Sequence, residues 1–210
     1  MLRRRIRGDH PGRPGEIQLA SMAGRNYGGA FINACVQQES RAKMLADHFL
    51  SLLNKPFEEL WLDTIPFPVA DRDFLIRRDQ LIQAKDYGGP LFDLARQFAA
   101  AEDIVIAARF WDLSFPAALK QYFEQINVLG ITFSYTPEGV PQGLCRAKSL
   151  TYVTTAGGGH VPDDFGFGYV KALAQGYYGI RELRQFKAIG LDIDGVDVDA
   201  ISQSAMDSMA

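Results

Sequence analysis

Cysteine is scarce in this 210-residue chain, which has only Cys35 and Cys145. Two thiols are too few for a disulfide framework, a four-thiolate zinc site or an iron–sulfur cluster, and they suit a reducing, cytoplasmic compartment. Long apolar runs are missing as well. None approaches the roughly 18 residues of a membrane span. The start Met1-Leu2-Arg3-Arg4-Arg5 is not followed by an apolar stretch of about 7–15 residues, so a secretory signal is not expected. There is no GxxxxGK[ST], which argues against a nucleoside-triphosphate loop, and no GxGxxG after the first strand, which argues against a dinucleotide-binding Rossmann site. What is present is an ordinary globular composition, 47% hydrophobic and 22% charged. That is enough apolar surface to offset the entropy of ordering the chain.

Charge divides the chain in two. Residues 1–29 carry six arginines (Arg3, Arg4, Arg5, Arg7, Arg13 and Arg25) against Asp9 and Glu16, with six glycines, two prolines and no hydrophobic periodicity. They read as an unstructured or non-native arm. Residues 30–210 form the folded domain. They hold sixteen basic and twenty-three acidic side chains, which argues against a nucleic-acid partner.

From residue 30 apolar strands alternate with helices. Strands are expected over 30–36, 57–62, 104–108, 149–155 and 186–191, and helices over 41–53, 116–128, 165–178 and 197–206. Residues 131–135 and 144–148 are expected to flank a surface hairpin at 137–143. Five apolar strands alternating with helices imply an α/β fold, a parallel sheet covered on both faces. Ligands of such sheets sit beyond the carboxyl ends of the strands, where the strand order reverses.

Three strand ends carry suggestive chemistry. After the first, Ser40 and Arg41 stand where a turn enters a helix; the serine suits an N-cap or an anion site, with the helix dipole favouring a phosphate. After the third, Phe110, Trp111, Leu113 and Phe115 crowd one loop and suit a wall beside a flat heteroaromatic ring. After the fourth, Ala156-Gly157-Gly158-Gly159 allows a ligand close to the backbone. One phosphate and one planar ring fit a mononucleotide. Trp61 reads as core. Asp192, Asp194, Asp197 and Asp199 read as a solvated loop, because Gly195 and Val196 break the spacing of a calcium loop; no metal site is expected.

Phe31-Ile32-Asn33-Ala34-Cys35-Val36 with Ser40-Arg41, the run from Phe110 to Lys120 (FWDLSFPAALK), Gly130-Ile131-Thr132-Phe133-Ser134-Tyr135 and Thr154-Thr155-Ala156-Gly157-Gly158 occur in a familiar order. Over about residues 30–200 the chain resembles the flavodoxin-like FMN-dependent NAD(P)H oxidoreductases, the azoreductase and quinone reductase family. The resemblance implies a flavodoxin-like sheet in the order 2-1-3-4-5, one FMN per subunit and a homodimer. By position, Ser40, Arg41 and Ala42 would cradle the FMN phosphate with Cys35 beside it. Phe110, Trp111, Asp112 and Leu113 would border the ring, the backbone of Asp112 and Leu113 lying near it. Thr155, Ala156, Gly157 and Gly158 would contact its other edge.

The implied activity passes hydride from NADH or NADPH through flavin N5 to a quinone or azo compound by a ping-pong mechanism. A flavodoxin-like electron carrier without its own substrate, or a cofactor-free scaffold, are the alternatives. Two positions depart from the family. Arg109 stands where proline is common, and Ala42 where a hydroxyl residue is usual. Loss of one hydrogen bond to a charged group costs roughly 1.5–3 kcal/mol, about ten- to a hundredfold in affinity.

Overall fold

Ile104, Val105, Ile106, Ala107 and Ala108 contain no polar side chain, and all five are buried. They form the middle of β4 (Asp103–Arg109), the central strand of a parallel sheet. Only such a strand, covered on both faces, hides consecutive side chains. The computed structural model describes residues 4–5, 28–37 and 39–210. β4 pairs in parallel with β2 (Gly29–Asn33) on one side and β7 (Ser149–Thr155) on the other. β3 (Phe57–Trp61) lies outside β2, and β8 (Glu182–Ala188) outside β7. These five strands have the expected order 2-1-3-4-5.

A two-residue strand, β1 (Arg4–Arg5), pairs in parallel with β3 and adds a sixth member at that edge. At those two positions the chain differs from the unstructured arm expected over 1–29, and Gly29 already belongs to β2. The rest of that expectation, apart from Gly28, lies outside the described residues.

Side chains alternate across the sheet with a period of two. Ile32, Ile104, Ile106 and Tyr152 face a cluster with Phe98, Tyr122, Phe123 and Val170. These come from α3 (Asp93–Ala100), α4 (Ala117–Ile126) and α5 (Phe167–Leu173). Phe31, Val105, Ala107 and Val153 face Leu45, Phe49 and Ala205, from α1 (Arg41–Leu52) and α6 (Val198–Asp207). α2 (Arg72–Gln83) runs along the surface with no buried residue. Among the described residues no helix is long and apolar enough to cross a membrane.

Three elements differ from expectation. β8 occupies 182–188 rather than 186–191; an edge strand is covered incompletely, and its side chains mix exposed and part-buried positions instead of forming one apolar run. The helix expected over 165–178 starts at Phe167 and ends in a π turn, Ala174–Tyr178, closed by Gly179 at φ 76°. The hairpin pairs β5 (Phe133–Tyr135) with β6 (Pro141–Gly143), earlier than the arm expected at 144–148. Gly143 fixes this position: a Cβ there would lie 2.2 Å from the backbone of Tyr178 and Gly179.

The core holds several acidic protons that folding retains. Burial pushes the Cys145 thiol up to about 12, and raises the phenols of Tyr122, Tyr152 and Tyr178 well above their ordinary range. Above about pH 9 the unfolded chain loses these protons while the folded chain keeps them. The unfolded state then binds fewer protons, so stability falls as pH rises. Urea midpoints measured from pH 8 to pH 11 should decline; a flat or rising series would refute this account.

Candidate functional site

β2 ends at Asn33, and the chain turns through 34–40 before α1 begins. Two side chains fix this turn. Asn33 Oδ1 accepts from the Cys35 N–H at 3.0 Å, and the Trp61 indole Nε1 donates to the Cys35 carbonyl at 2.6 Å. Trp61, expected in the core, is only partly buried and acts as a strut for the loop. Asn33 Nδ2 donates in turn to Glu59 at 3.0 Å. Glu59 lies 3.8 Å from the Lys43 ammonium, which pairs with Asp47 at 2.8 Å.

Ser40 occupies the N-cap of α1 with extended backbone (φ −89°, ψ 133°), yet its side chain makes no capping bond. Its Oγ is buried and has no hydrogen-bond partner. It lies beside the Cys35 thiol, whose pKa is raised by burial and drawn partly back by the Ser40 hydroxyl and the charges of Lys43 and Arg109. A thiol is a weak partner, and Cys35 Sγ already lies 3.8 Å from the Ala107 carbonyl. α1 also has no acidic residue in its first turn. By contrast, Asp71 caps α2 by accepting from Phe74 N–H, and Asp197 caps α6 by accepting from Ala200 N–H, each at 2.9 Å. A helix start carries unpaired N–H groups and partial positive charge. At α1 these stay available to an external anion.

An open cleft of about 500 Å³ lies over this helix start. Arg109, Phe110 and Trp111 wall one side, and Thr155, Ala156 and Gly157 another. Beyond β4, the N–H groups of Trp111 and Ser114 donate to each other's carbonyls, at 3.1 and 2.7 Å. Asp112 (φ 49°) and Leu113 (φ 67°) between them are both left-handed. This is the mirror-image tight turn that glycine or asparagine normally occupies. The left-handed state costs roughly 1–2 kcal/mol per ordinary residue. Strain of this kind concentrates at functional sites. The turn leaves Trp111, in the cleft wall, and Leu113 exposed.

Three contacts of cleft cations were not foreseen. Arg41 Nη1 pairs with Asp192 Oδ1 at 3.0 Å. Arg109 donates to Gln37 Oε1 at 3.2 Å and rests on the Trp111 ring at 5.7 Å. The cleft thus gathers Ser40, Arg41, Phe110, Trp111, Thr155, Ala156 and Gly157 of the expected set. Cys35 and Ala42 are fully buried, and Asp112, Leu113 and Gly158 are not part of its wall. Gln37, Glu39, Arg109, Leu191 and Asp192 line it in addition. The signal for the last two was available: they follow the fifth strand, whose end reaches the same sheet edge. Reading that strand as 186–191 concealed it.

The family model described as a flavodoxin-like fold, Flavodoxin_2, matches residues 30–210. The chain belongs to this family. It is 35% identical over 180 residues to the FMN-dependent NADH:quinone oxidoreductase of Lachnoclostridium phytofermentans, covering 81% of this chain and 89% of that protein. A protein of the same name from Clostridium perfringens is also 35% identical, over 77% and 84% of the two chains. The azoreductase of Bacillus anthracis has a TM-score of 0.73 at 22% identity, over 86% of this chain and 95% of that one. An FMN-dependent NADH-azoreductase of the same species, in complex with FMN, gives 0.71 at 21% over 86% and 94%. These two structures share the fold.

Because Ser40 makes no cap, Ser40→Ala should change stability by less than about 0.5 kcal/mol, whereas Asp197→Ala should cost about 1 kcal/mol. Urea denaturation of both variants checks this. A loss at Ser40 as large as that at Asp197 would contradict the uncapped reading.

Proposed function

We propose that this chain is an FMN-dependent NAD(P)H oxidoreductase that reduces quinones or azo compounds. The observation that carries the cofactor is the buried Ser40 hydroxyl, which makes no cap and has only the weakly bonding Cys35 thiol beside it, at an uncapped helix start. The donor set fits a phosphate monoester: Ser40 Oγ, the N–H groups of Arg41 and Ala42, and the Arg41 guanidinium. Phe110 and Trp111, with the turn at Asp112 and Leu113, would border the ring on one side. Thr155, Ala156, Gly157 and Gly158 would border it on the other, and Cys35 would support the phosphate loop from beneath. The relatives named for FMN-dependent NADH:quinone oxidoreduction extend along most of this chain, which supports the same activity here.

When bound, FMN would supply two-electron hydride chemistry between the nicotinamide donor and the acceptor. The protein's part is positional and electrostatic. Ser40 and the helix start anchor the charged end. The N–H groups of Asp112 and Leu113, on a strained turn, are preorganised donors for negative charge nearby. Trp111 and Phe110 offer an apolar wall that excludes water from one flank. One open cleft gives donor and acceptor a single place to occupy in turn, which supports a ping-pong order. The two free cysteines accord with a reducing cytoplasm.

Anaerobic NADH should bleach the visible band of the FMN-loaded protein, and a benzoquinone should restore it, with continuous turnover by the purified protein alone. Ser40→Ala should weaken FMN binding about ten- to a hundredfold, one hydrogen bond to a charged group. Retained colour that NADH leaves unbleached would remove the enzyme and leave the electron carrier.

A homodimer is part of the proposal. Leu129, Tyr135, Val140 and Leu144 are exposed on and beside the β5–β6 hairpin, and clustered exposed apolar residues mark association surfaces. Sedimentation equilibrium should return twice the chain mass. A monomer at micromolar concentration would overturn this part.

A further inference from the structure

We propose that Asp192 sets how strongly the cleft favours a phosphorylated ligand over its unphosphorylated form, by competing for Arg41 and repelling the phosphate. The inference rests on the FMN reading above. Arg41 is the first residue of α1, adjacent to the Ser40 hydroxyl, and its guanidinium is held by the Asp192 carboxylate at 3.0 Å. Both residues line the cleft. Asp192 comes from the loop after β8, an element that otherwise has no part in the phosphate end of the site.

The carboxylate is seated in a prepared notch. Gly190 N–H donates to Gly158 O at 3.0 Å, Leu191 N–H to Ala156 O at 3.2 Å, and Asp192 N–H to Gly157 O at 3.0 Å. These three bonds lock the loop after β8 onto the glycine loop after β7. A Cβ on Gly157 would lie 2.1 Å from Asp192 Oδ2, so the absence of a side chain at Gly157 is what admits the carboxylate. Glu39 is the other acid of the cleft, and among the described residues it forms no ion pair. Arg109 is engaged by Gln37, and Lys43 by Asp47 and Glu59. Asp192 is therefore the acid bound to the cation nearest the helix start.

Two effects of the carboxylate oppose each other. It steadies Arg41, but an exposed pair of this kind is worth at most about fivefold. It also repels a phosphate carrying about −1.5 to −2 charges, and Coulomb energy scales with the product of the charges. Repulsion and competition for the guanidinium act in the same direction, and the proposal is that together they exceed the steadying. The guanidinium fork can donate to two acceptors, so the pair need not break completely for phosphate to bind. Neither effect reaches a ligand without phosphate.

The test measures dissociation constants of FMN and riboflavin by quenching of flavin fluorescence, for wild type, Asp192→Asn and Asp192→Ala. Thermal melts confirm that each variant folds. Both variants should bind FMN roughly three- to tenfold more tightly, with riboflavin unchanged, and the gain should shrink in about 0.5 M salt as charges are screened. Weaker or unchanged FMN binding, or equal shifts for FMN and riboflavin, would overturn the role of Asp192 while leaving the cofactor assignment intact. If wild type bound neither flavin, the assignment and the inference would fall together.

Discussion

The N-terminus of α1 is a positive pole with no internal answer, and the site is organised around keeping it so. A parallel strand must hand its chain to a crossover, so the helix after β2 starts at the carboxyl edge of the sheet, where β4 and β7 also end. Its cap residue has the right backbone conformation to close on the first turn but does not close. Asn33 and Trp61 hold the N–H and the carbonyl of Cys35 in the loop that leads to it. Lys43, which would otherwise repel cations and attract stray anions from within the first turn, is neutralised below by Asp47 and Glu59. The helix start proposed to hold an anion is thus supported by groups that never face the cleft.

The second half of the site uses strain where the first uses an unmet bond. Two consecutive non-glycine residues in the left-handed region are held between Trp111 and Ser114. A turn of that kind persists only if its ends are fixed more firmly than the turn prefers to open. β4 is paired on both sides from Asp103 to Ala107 and with β7 through Arg109, and Phe110 N–H extends that pairing by donating to Thr155 O at 2.9 Å. On the far side Ser114 Oγ donates to Phe165 O at 2.6 Å. The central strand therefore carries this strained turn, with both of its ends fixed beside the aromatic wall.

Strand order and the three converging loops were legible because each rests on local chemistry. The unbroken apolar run at 104–108 leaves a buried central strand as its simplest placement, and Ser40, Trp111 and Gly157 follow strand ends directly. The misplaced β8 shows where that logic stops. Glu182-Leu183-Arg184-Gln185-Phe186-Lys187-Ala188 mixes polar and apolar residues because one flank of an edge strand meets solvent, and a mixed segment is outcompeted by the apolar residues beside it. Asp192 was invisible for a related reason. An acid in an acidic loop reads as solvated until the partner across the cleft is known, and Arg41 lies 151 positions earlier in the chain. Trp61 shows the same limit in miniature: an indole at a strand end reads as core, but here it is only partly buried and donates to the neighbouring strand's loop, which is a tertiary fact.

The alanine at position 42 gives the charge at this site its significance. Its methyl is fully buried among Phe31, Cys35 and Leu45, so the backbone N–H is the polar group it can offer the cleft. Where the family commonly places a hydroxyl, a directional contact that fades within an ångström of misplacement, this chain relies on guanidinium charge. Charge acts over a longer range and tolerates misplacement, but solvent screens it and neighbouring charges tune it. A site that trades a hydrogen bond for an arginine therefore becomes sensitive to the acids around that arginine in a way a hydroxyl-lined site is not. On the proposed reading Ala42, Arg41 and Asp192 form one unit for this reason: the first lacks a short-range contact, the second offers a long-range one, and the third would set its strength.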